Sequence, residues 1–181
     1  QMRAKKVGKR RRIRRTAFLR LRRQDGASLL PPLQRIAHRG ASGTGLAPEN
    51  TLAAFEKAIE IGVDAVEIDV HLTADNQVVV IHDRAVDRTT DGSGPVDTMT
   101  LSEIRELSAG SWFGSEFGSE RIPTLEGVIE LVGWRALLLI EAKTEEAADK
   151  AVAIIRAQRA QSRVVMQSFL GPAVRTVNRL D

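Results

Sequence analysis

Charged and titratable residues interrupt the apolar runs of this chain at few places, each late in a run. "RIAHRG" (35–40) closes on His38, Arg39 and Gly40, and "VDAVEIDVHLT" (63–73) carries Glu67 and Asp69. "VVVIHD" (78–83) ends with His82, and "ALLLIEAK" (136–143) ends with Glu141 and Lys143. Such groups are costly inside apolar strands unless they are paired or hold a metal. Oxygen donors from three carboxylates suit one hard divalent cation, Mg²⁺ or Ca²⁺. The competing reading is a buried salt bridge, with Glu67 or Glu141 against Lys143 or Arg39. An imidazole and a guanidinium beside the glycine-rich "GASGTGLAPEN" suit the handling of phosphate, and Gly40 would permit close backbone approach.

The elements that must position these groups follow from pattern. Strands are expected at 35–39, 63–73, 78–83, 136–143 and 163–169. Side chains alternate faces along a strand, so Glu67 and Asp69 share one face, as do Glu141 and Lys143. Asn50 is expected to cap a helix over 51–61 that stops at Gly62. Thr100 and Glu103 form a capping box for a short helix. Further helices are expected at 125–132, 144–161 and after 171. Strand–helix alternation with continuous apolar strands indicates an α/β fold with a mostly parallel sheet. Polar groups at strand ends match the C-terminal rim of a barrel enzyme.

Only seven residues, Val70 to Asn76, separate the "EID" stretch from the next strand. That is too short for a parallel crossover, so 63–83 is expected to be an antiparallel hairpin turning at Asp75–Asn76. In that register His82 faces Asp69. His71 shares the parity of Glu67 and Asp69 but is expected to face solvent near the turn. A long irregular insertion follows from 84 to 98. Trp112, Phe113 and Phe117 are expected to form a satellite core under a long loop, with the mouth of a substrate site as the alternative.

Taken in order, "AHRG…PENT…EIDVHLTADNQVVVIHD…IPTLE…IEAK" resembles the glycerophosphodiester phosphodiesterase family, of the phospholipase-C-like barrel type. The resemblance runs from about 35 to 181. It implies metal-dependent hydrolysis of glycerophosphodiesters to glycerol 3-phosphate and an alcohol. The family's paired acid/base histidines fall on His38 and His82, and its metal carboxylates on Glu67, Asp69 and Glu141. Its phosphate contacts fall on Arg39 and Lys143, and its "PEN" residues on Glu49 and Asn50. The chemistry is consistent with these residue types. A phosphodiester gains negative charge on its non-bridging oxygens during displacement, which cations stabilise. Two imidazoles titrating near neutral pH can act as base and acid. The attacking oxygen is either water or a glycerol hydroxyl of the substrate. Alternatives are a phosphodiesterase acting on lysophospholipids or phosphoinositides, and a non-catalytic module that binds glycerophosphodiesters or lipid headgroups.

Size and charge bound the rest. The 181 residues are 43% hydrophobic, enough for one core, and no apolar run approaches the ~18–20 residues of a membrane span. There is no cysteine, so neither disulfides nor thiolate metal sites arise, which fits a cytoplasmic location. Aromatic residues make up 4% and tyrosine is absent, so single-stranded nucleic acid is not an expected partner. Twelve of the 27 Lys/Arg lie in residues 1–23, which hold none of the 23 Asp/Glu. Residues 1–34 thus read as a disordered basic arm and linker, able to meet an anionic membrane surface through 2–23. Residues 35–181 read as the phosphodiesterase domain. A complete (β/α)₈ barrel takes ~250 residues. The fold class is therefore an incomplete TIM-type barrel lacking its C-terminal strands, whose open sheet edge favours oligomers.

Overall fold

The computed structural model describes residues 35–168, so the basic arm, the linker and the segment from 169 onward lie outside it. Among these residues five strands and four α-helices follow one another. They are β1 (Ile36–Ala37), α1 (Leu52–Ile61), β2 (Ala65–Leu72), β3 (Val78–Val80), α2 (Leu101–Glu106), α3 (Leu125–Val132), β4 (Leu137–Ala142), α4 (Glu145–Ala157) and β5 (Val164–Gln167). β1, β2, β4 and β5 are parallel and lie side by side in that order. β3 runs antiparallel to β2 and pairs with its last three residues, whereas β1 pairs with its first two. β1 and β3 thus share one edge of β2. Among the described residues β1 and β5 each have one strand neighbour, so the described sheet is open.

Each α-helix starts at a threonine. The side chains of Thr51, Thr100, Thr124 and Thr144 accept from the backbone N–H three residues on, satisfying a donor that the first turn leaves free. At Thr100 the reciprocal bond from Glu103 completes the expected capping box. α1 ends at Gly62, whose φ of 76° places it in the left-handed region. The cap of α1 is Thr51 and not the expected Asn50, because Asn50 adopts φ 56° and turns its amide toward the sheet.

Alternation along the strands sorts the interior into two faces. Val66, Ile68 and Val70 of β2, Leu138 and Ile140 of β4, and Met166 of β5 pack against Phe55, Val128, Ile129 and Ile155 of the covering helices. The opposite face carries Ala65, Leu137, Leu139 and Val165 at the strand starts. Toward the strand ends that same face carries Glu67, Asp69, His71 and Glu141, as period-two geometry requires. A second apolar cluster, Val79, Ile81, Val86, Val96, Ile104, Ala109 and Ile122, supports the irregular segment after β3. Trp112, Phe113 and Phe117 are not in it; their rings meet edge to face at 5.5 Å, with Trp112 exposed.

The hairpin exists, but its register differs by one residue from the expected one. His71 faces Val79, and the Ile81 N–H donates to the Asp69 carbonyl, so Ile81 and not His82 lies across from Asp69. The turn explains the shift. Thr73 and Gln77 close a three-residue loop, with Asn76 left-handed at φ 59° and the Asn76 N–H donating to the Thr73 carbonyl. An odd loop of this type moves the pairing by one relative to a two-residue turn. The Thr73 hydroxyl reinforces it by bonding both Asp75 and the Gln77 N–H. His71 is buried, contrary to expectation, with its ring against the His82 carbonyl of the segment after β3. No helix among the described residues is long and apolar enough to cross a membrane.

Candidate active site

The parallel register of β2 and β4 builds the acidic centre. Asp69 and Glu141 are direct cross-strand partners, and Glu67 lies one step back on the same face. One carboxylate oxygen from each of Glu67, Asp69 and Glu141 lies within 4.8 Å of the others. Oxygens this close fit the first shell of one cation with bonds of about 2.0–2.6 Å. Like charges so near each other demand compensation, and Lys143 supplies part of it. Its Nζ lies 2.6 Å from both Asp69 Oδ1 and Glu141 Oε1. Both sequence readings of the acids are therefore present together: a compact carboxylate triad, and a salt bridge within it.

The loop between β1 and α1 supplies the second cation. Arg39 sits at φ 56°, a left-handed conformation that costs a non-glycine residue about 1 kcal/mol and that tends to mark functional sites. This turn lets the Arg39 N–H donate to Glu67 Oε2 at 2.9 Å while its guanidinium reaches Glu49 Oε1 at 2.9 Å. Arg39 Nε is 3.3 Å from Asp69 Oδ2 but is buried without a hydrogen bond. Asn50 donates from Nδ2 to Asp69 Oδ2 at 3.0 Å, and its own N–H donates to the Arg39 carbonyl. Gly40 is fixed by space as well as by φ 79°: a Cβ there would lie 2.7 Å from Ala54 Cβ and 2.9 Å from the Ala54 backbone.

Charge is unevenly satisfied around the triad. Asp69 has Lys143, Asn50 and Arg39, and Glu141 has Lys143. Glu67 is 6% exposed and, among the described residues, meets only the Arg39 N–H and, at 4.0 Å, His38 Nε2. Burial, then the neighbouring Asp69 charge, pushes its carboxyl up to about 7. A buried carboxylate with no cation of its own, beside two others, is what a dication or a proton would stabilise. The donor set thus fits a hard divalent ion.

The two expected histidines differ in surroundings. The His38 side chain is 71% exposed at the rim beside Glu67. His82 holds Asp83 Oδ1 through Nδ1 at 2.5 Å, which leaves Nε2 available. His71 Nε2 donates to the His82 carbonyl at 3.1 Å, and burial lowers the His71 pKa, favouring this neutral donor form.

Sequence reasoning missed Asp83 and Arg88. Arg88 Nε and one terminal nitrogen grip Asp83 at 2.6 and 3.2 Å, and both terminal nitrogens grip Glu49 at 2.9 and 2.7 Å. These contacts, that to Arg88 first, hold Asp83 well below the usual carboxylate range. For Glu49, burial opposes ionisation, but Arg88 and Arg39 together outweigh it and lower the pKa. The signal was available in "HDRAVDR", where an acid follows His82 directly, but Arg88 lies in an irregular segment without periodicity.

Comparison with known proteins gives a consistent picture. Residues 38–173 match the Glycerophosphoryl diester phosphodiesterase family. A glycerophosphodiester phosphodiesterase of Caldanaerobacter subterraneus is 45% identical over 151 residues, covering 80% of this chain and 61% of that protein. The crystal structure of a glycerophosphodiester phosphodiesterase from Agrobacterium tumefaciens superposes with a TM-score of 0.74 at 37% identity, over 80% of this chain and 62% of the other. An Oleispira antarctica phosphodiesterase in complex with the product sn-glycerol-3-phosphate gives 0.72 at 36% identity, over 82% and 62%. The chain spans roughly half of the curated relatives it matches, 44% of one and 61% of another.

Proposed function

The chain belongs to the glycerophosphoryl diester phosphodiesterase family, and from that premise we propose that the protein hydrolyses glycerophosphodiesters to glycerol 3-phosphate and an alcohol. The observation that carries the reading is the carboxylate triad, buried Glu67 and Asp69 with half-buried Glu141, within 4.8 Å and set between the Arg39 and Lys143 cations. The product bound to the Oleispira antarctica relative favours glycerol 3-phosphate as the released half.

Mg²⁺ or Ca²⁺ held by Glu67, Asp69 and Glu141 would supply positive charge to the non-bridging phosphate oxygens as their negative charge grows. Arg39 contributes to binding that phosphate: its buried Nε–H, 3.3 Å from Asp69 Oδ2, makes no hydrogen bond among the described residues, and a phosphate oxygen would provide an acceptor. Lys143 acts as a point charge that can exchange a carboxylate oxygen for a phosphate oxygen. With Nδ1 engaged by Asp83, His82 exchanges its proton at Nε2. One imidazole takes the proton of the attacking hydroxyl as the new P–O bond forms. The other returns a proton to the alcohol oxygen as its P–O bond breaks. Attack by water gives glycerol 3-phosphate directly, whereas attack by the glycerol hydroxyl gives a cyclic phosphate that water must open in a second displacement, breaking the ring P–O bond. His38 is exposed at the rim, where protons exchange readily with solvent. The twelve Lys/Arg of residues 1–23, outside the described part, would add attraction to an anionic membrane surface for a cytoplasmic enzyme.

The test is release of glycerol 3-phosphate from glycerophosphocholine with Mg²⁺ or Ca²⁺, before and after chelation. Turnover that is lost on chelation and restored by one ion supports the reading. Binding of the diester without turnover at saturating metal would instead favour a headgroup-binding module.

A further inference from the structure

Arg88 belongs neither to the carboxylate triad nor to the phosphate cations, yet both binding edges of its guanidinium are used. The side-on edge, Nε and one terminal nitrogen, holds Asp83; the end-on edge, the two terminal nitrogens, holds Glu49. Each of those carboxylates has one further partner. Asp83 Oδ1 accepts from His82 Nδ1, and Glu49 Oε1 accepts from Arg39. The result is an unbroken series, His82–Asp83–Arg88–Glu49–Arg39, in which donor and acceptor side chains alternate. It joins two segments that share no regular secondary structure, the β1–α1 loop and the stretch after β3.

We propose that Arg88 is a positioning residue that couples the proton-transferring imidazole to the phosphate-holding guanidinium. The proposal rests on the hydrolase reading above for its kinetic consequence, but not for its structural one. The side-on fork fixes the Asp83 carboxylate in the orientation that accepts from Nδ1, and so selects the His82 tautomer with Nε2 free. The end-on fork fixes Glu49, and so the approach of Arg39. Two planar bidentate pairs set both angle and distance, which a point charge does not. Arg88 is partly exposed and lies outside the apolar clusters, so its service to folding is small.

Two measurements on the intact chain test this separately. The first reads the ring nitrogens of the three histidines by long-range ¹H–¹⁵N correlation at alkaline pH, with the imidazoles neutral. His82 is expected as the single Nδ1–H tautomer in the parent and as a mixture in Arg88→Gln, in Arg88→Lys and in Asp83→Ala. A His82 spectrum unchanged by Arg88→Gln overturns the proposal whether or not the protein is an enzyme. The second reads turnover of glycerophosphocholine at saturating metal. Asp83→Ala is expected mainly to lower kcat, Glu49→Gln mainly to raise KM, and Arg88→Gln to do both, each by about 10–100-fold. Arg88→Lys keeps the charge and is expected to recover less than a tenth of the loss, whereas added guanidinium is expected to recover part of it in Arg88→Gln. Coupling also requires that Asp83→Ala in the Arg88→Gln background cost little more kcat than either change alone. Full additivity, or complete rescue by lysine, overturns it. A parent with no turnover sinks the hydrolase reading and leaves the tautomer result to decide on Arg88.

Discussion

Asp69 and Glu141 stand directly across from each other on parallel strands, and Lys143 Nζ sits 2.6 Å from an oxygen of each. Like charges at opposed sheet positions repel. The fold tolerates them here because the residue just past the end of β4, two after Glu141, brings a cation to the same face. In the absence of metal that ammonium is the principal counter-charge to the pair.

Removing it should therefore reveal the need for a dication. Lys143→Ala is expected to destabilise the metal-free chain by on the order of 3 kcal/mol near neutral pH, the usual cost of stripping one partner from a buried pair. Mg²⁺ or Ca²⁺ should restore more of the melting temperature in the variant than in the parent. Thermal denaturation with and without ion is the check. A variant as stable as the parent without metal would show that the triad needs no counter-charge.

Glu67 predicts how the metal-free fold depends on pH. Its carboxyl is raised to about 7, by burial first and by Asp69 second, whereas an unfolded glutamate titrates near 4.5. Between those values the native state keeps a proton that the unfolded chain has released. Stability therefore falls as pH rises through the window from about 4.5 to 7, by up to ~3 kcal/mol, and is flat in this respect on either side. Glu67→Gln should remove that slope. A divalent ion must displace the same proton, so its affinity should rise with pH up to about 7 and its binding should release close to one proton below that. Urea denaturation across this range, and calorimetry in two buffers of different ionisation enthalpy, measure the two effects. A parent whose stability slope matches that of Glu67→Gln would contradict the assignment.

Gly40 offers a purely steric prediction. Gly40→Ala has to accept φ 79° and also push a methyl to within 2.7 Å of Ala54 Cβ and 2.9 Å of its backbone. Gly45 has the same φ of 79° but open space around it. Gly45→Ala should cost about 1 kcal/mol, the left-handed penalty alone, and Gly40→Ala about 2–4 kcal/mol. Equal urea midpoints for the two would mean that close approach to α1 is not what excludes a side chain at position 40.

How much of this was legible beforehand depends on the range of the interaction. Period two alone put Glu67 with Asp69 and Glu141 with Lys143, and apolar runs located all five strands. Parity could not say which strands lie side by side, and so could not bring Asp69 against Glu141. The hairpin was legible from chain length, but its register turned on the left-handed Asn76 and the Thr73 hydroxyl, a local choice between two- and three-residue loops. Asn50 and Thr51 are both good caps, and only the demand of Asp69 for a donor decides that Asn50 faces the sheet. Burial of His71 and the grip of Arg88 depend on how an aperiodic segment folds back over β2, for which the pattern holds no signal.

The last prediction concerns the three histidines, the full complement of the chain. His38 meets Glu67 only at 4.0 Å and is largely exposed, and His82 is held through Nδ1 by Asp83. Neither is among the three carboxylates placed to share an ion. His38→Ala and His82→Ala should each reduce turnover by about 10²–10⁴-fold while leaving the affinity for Mg²⁺ or Ca²⁺ within a few-fold of the parent. His71 serves as the internal comparison. It is buried, which favours its neutral form, and donates from Nε2 to the His82 carbonyl, so it acts on the position of His82 and not on a proton in flight. His71→Gln retains an amide donor at a similar reach and should keep most activity, whereas His71→Leu should lose it by loosening His82. Kinetics and ion titrations on the four variants decide the matter. Loss of ion affinity with turnover intact at saturating metal, in either His38→Ala or His82→Ala, would make that histidine a ligand and leave the second proton-transfer role without a residue.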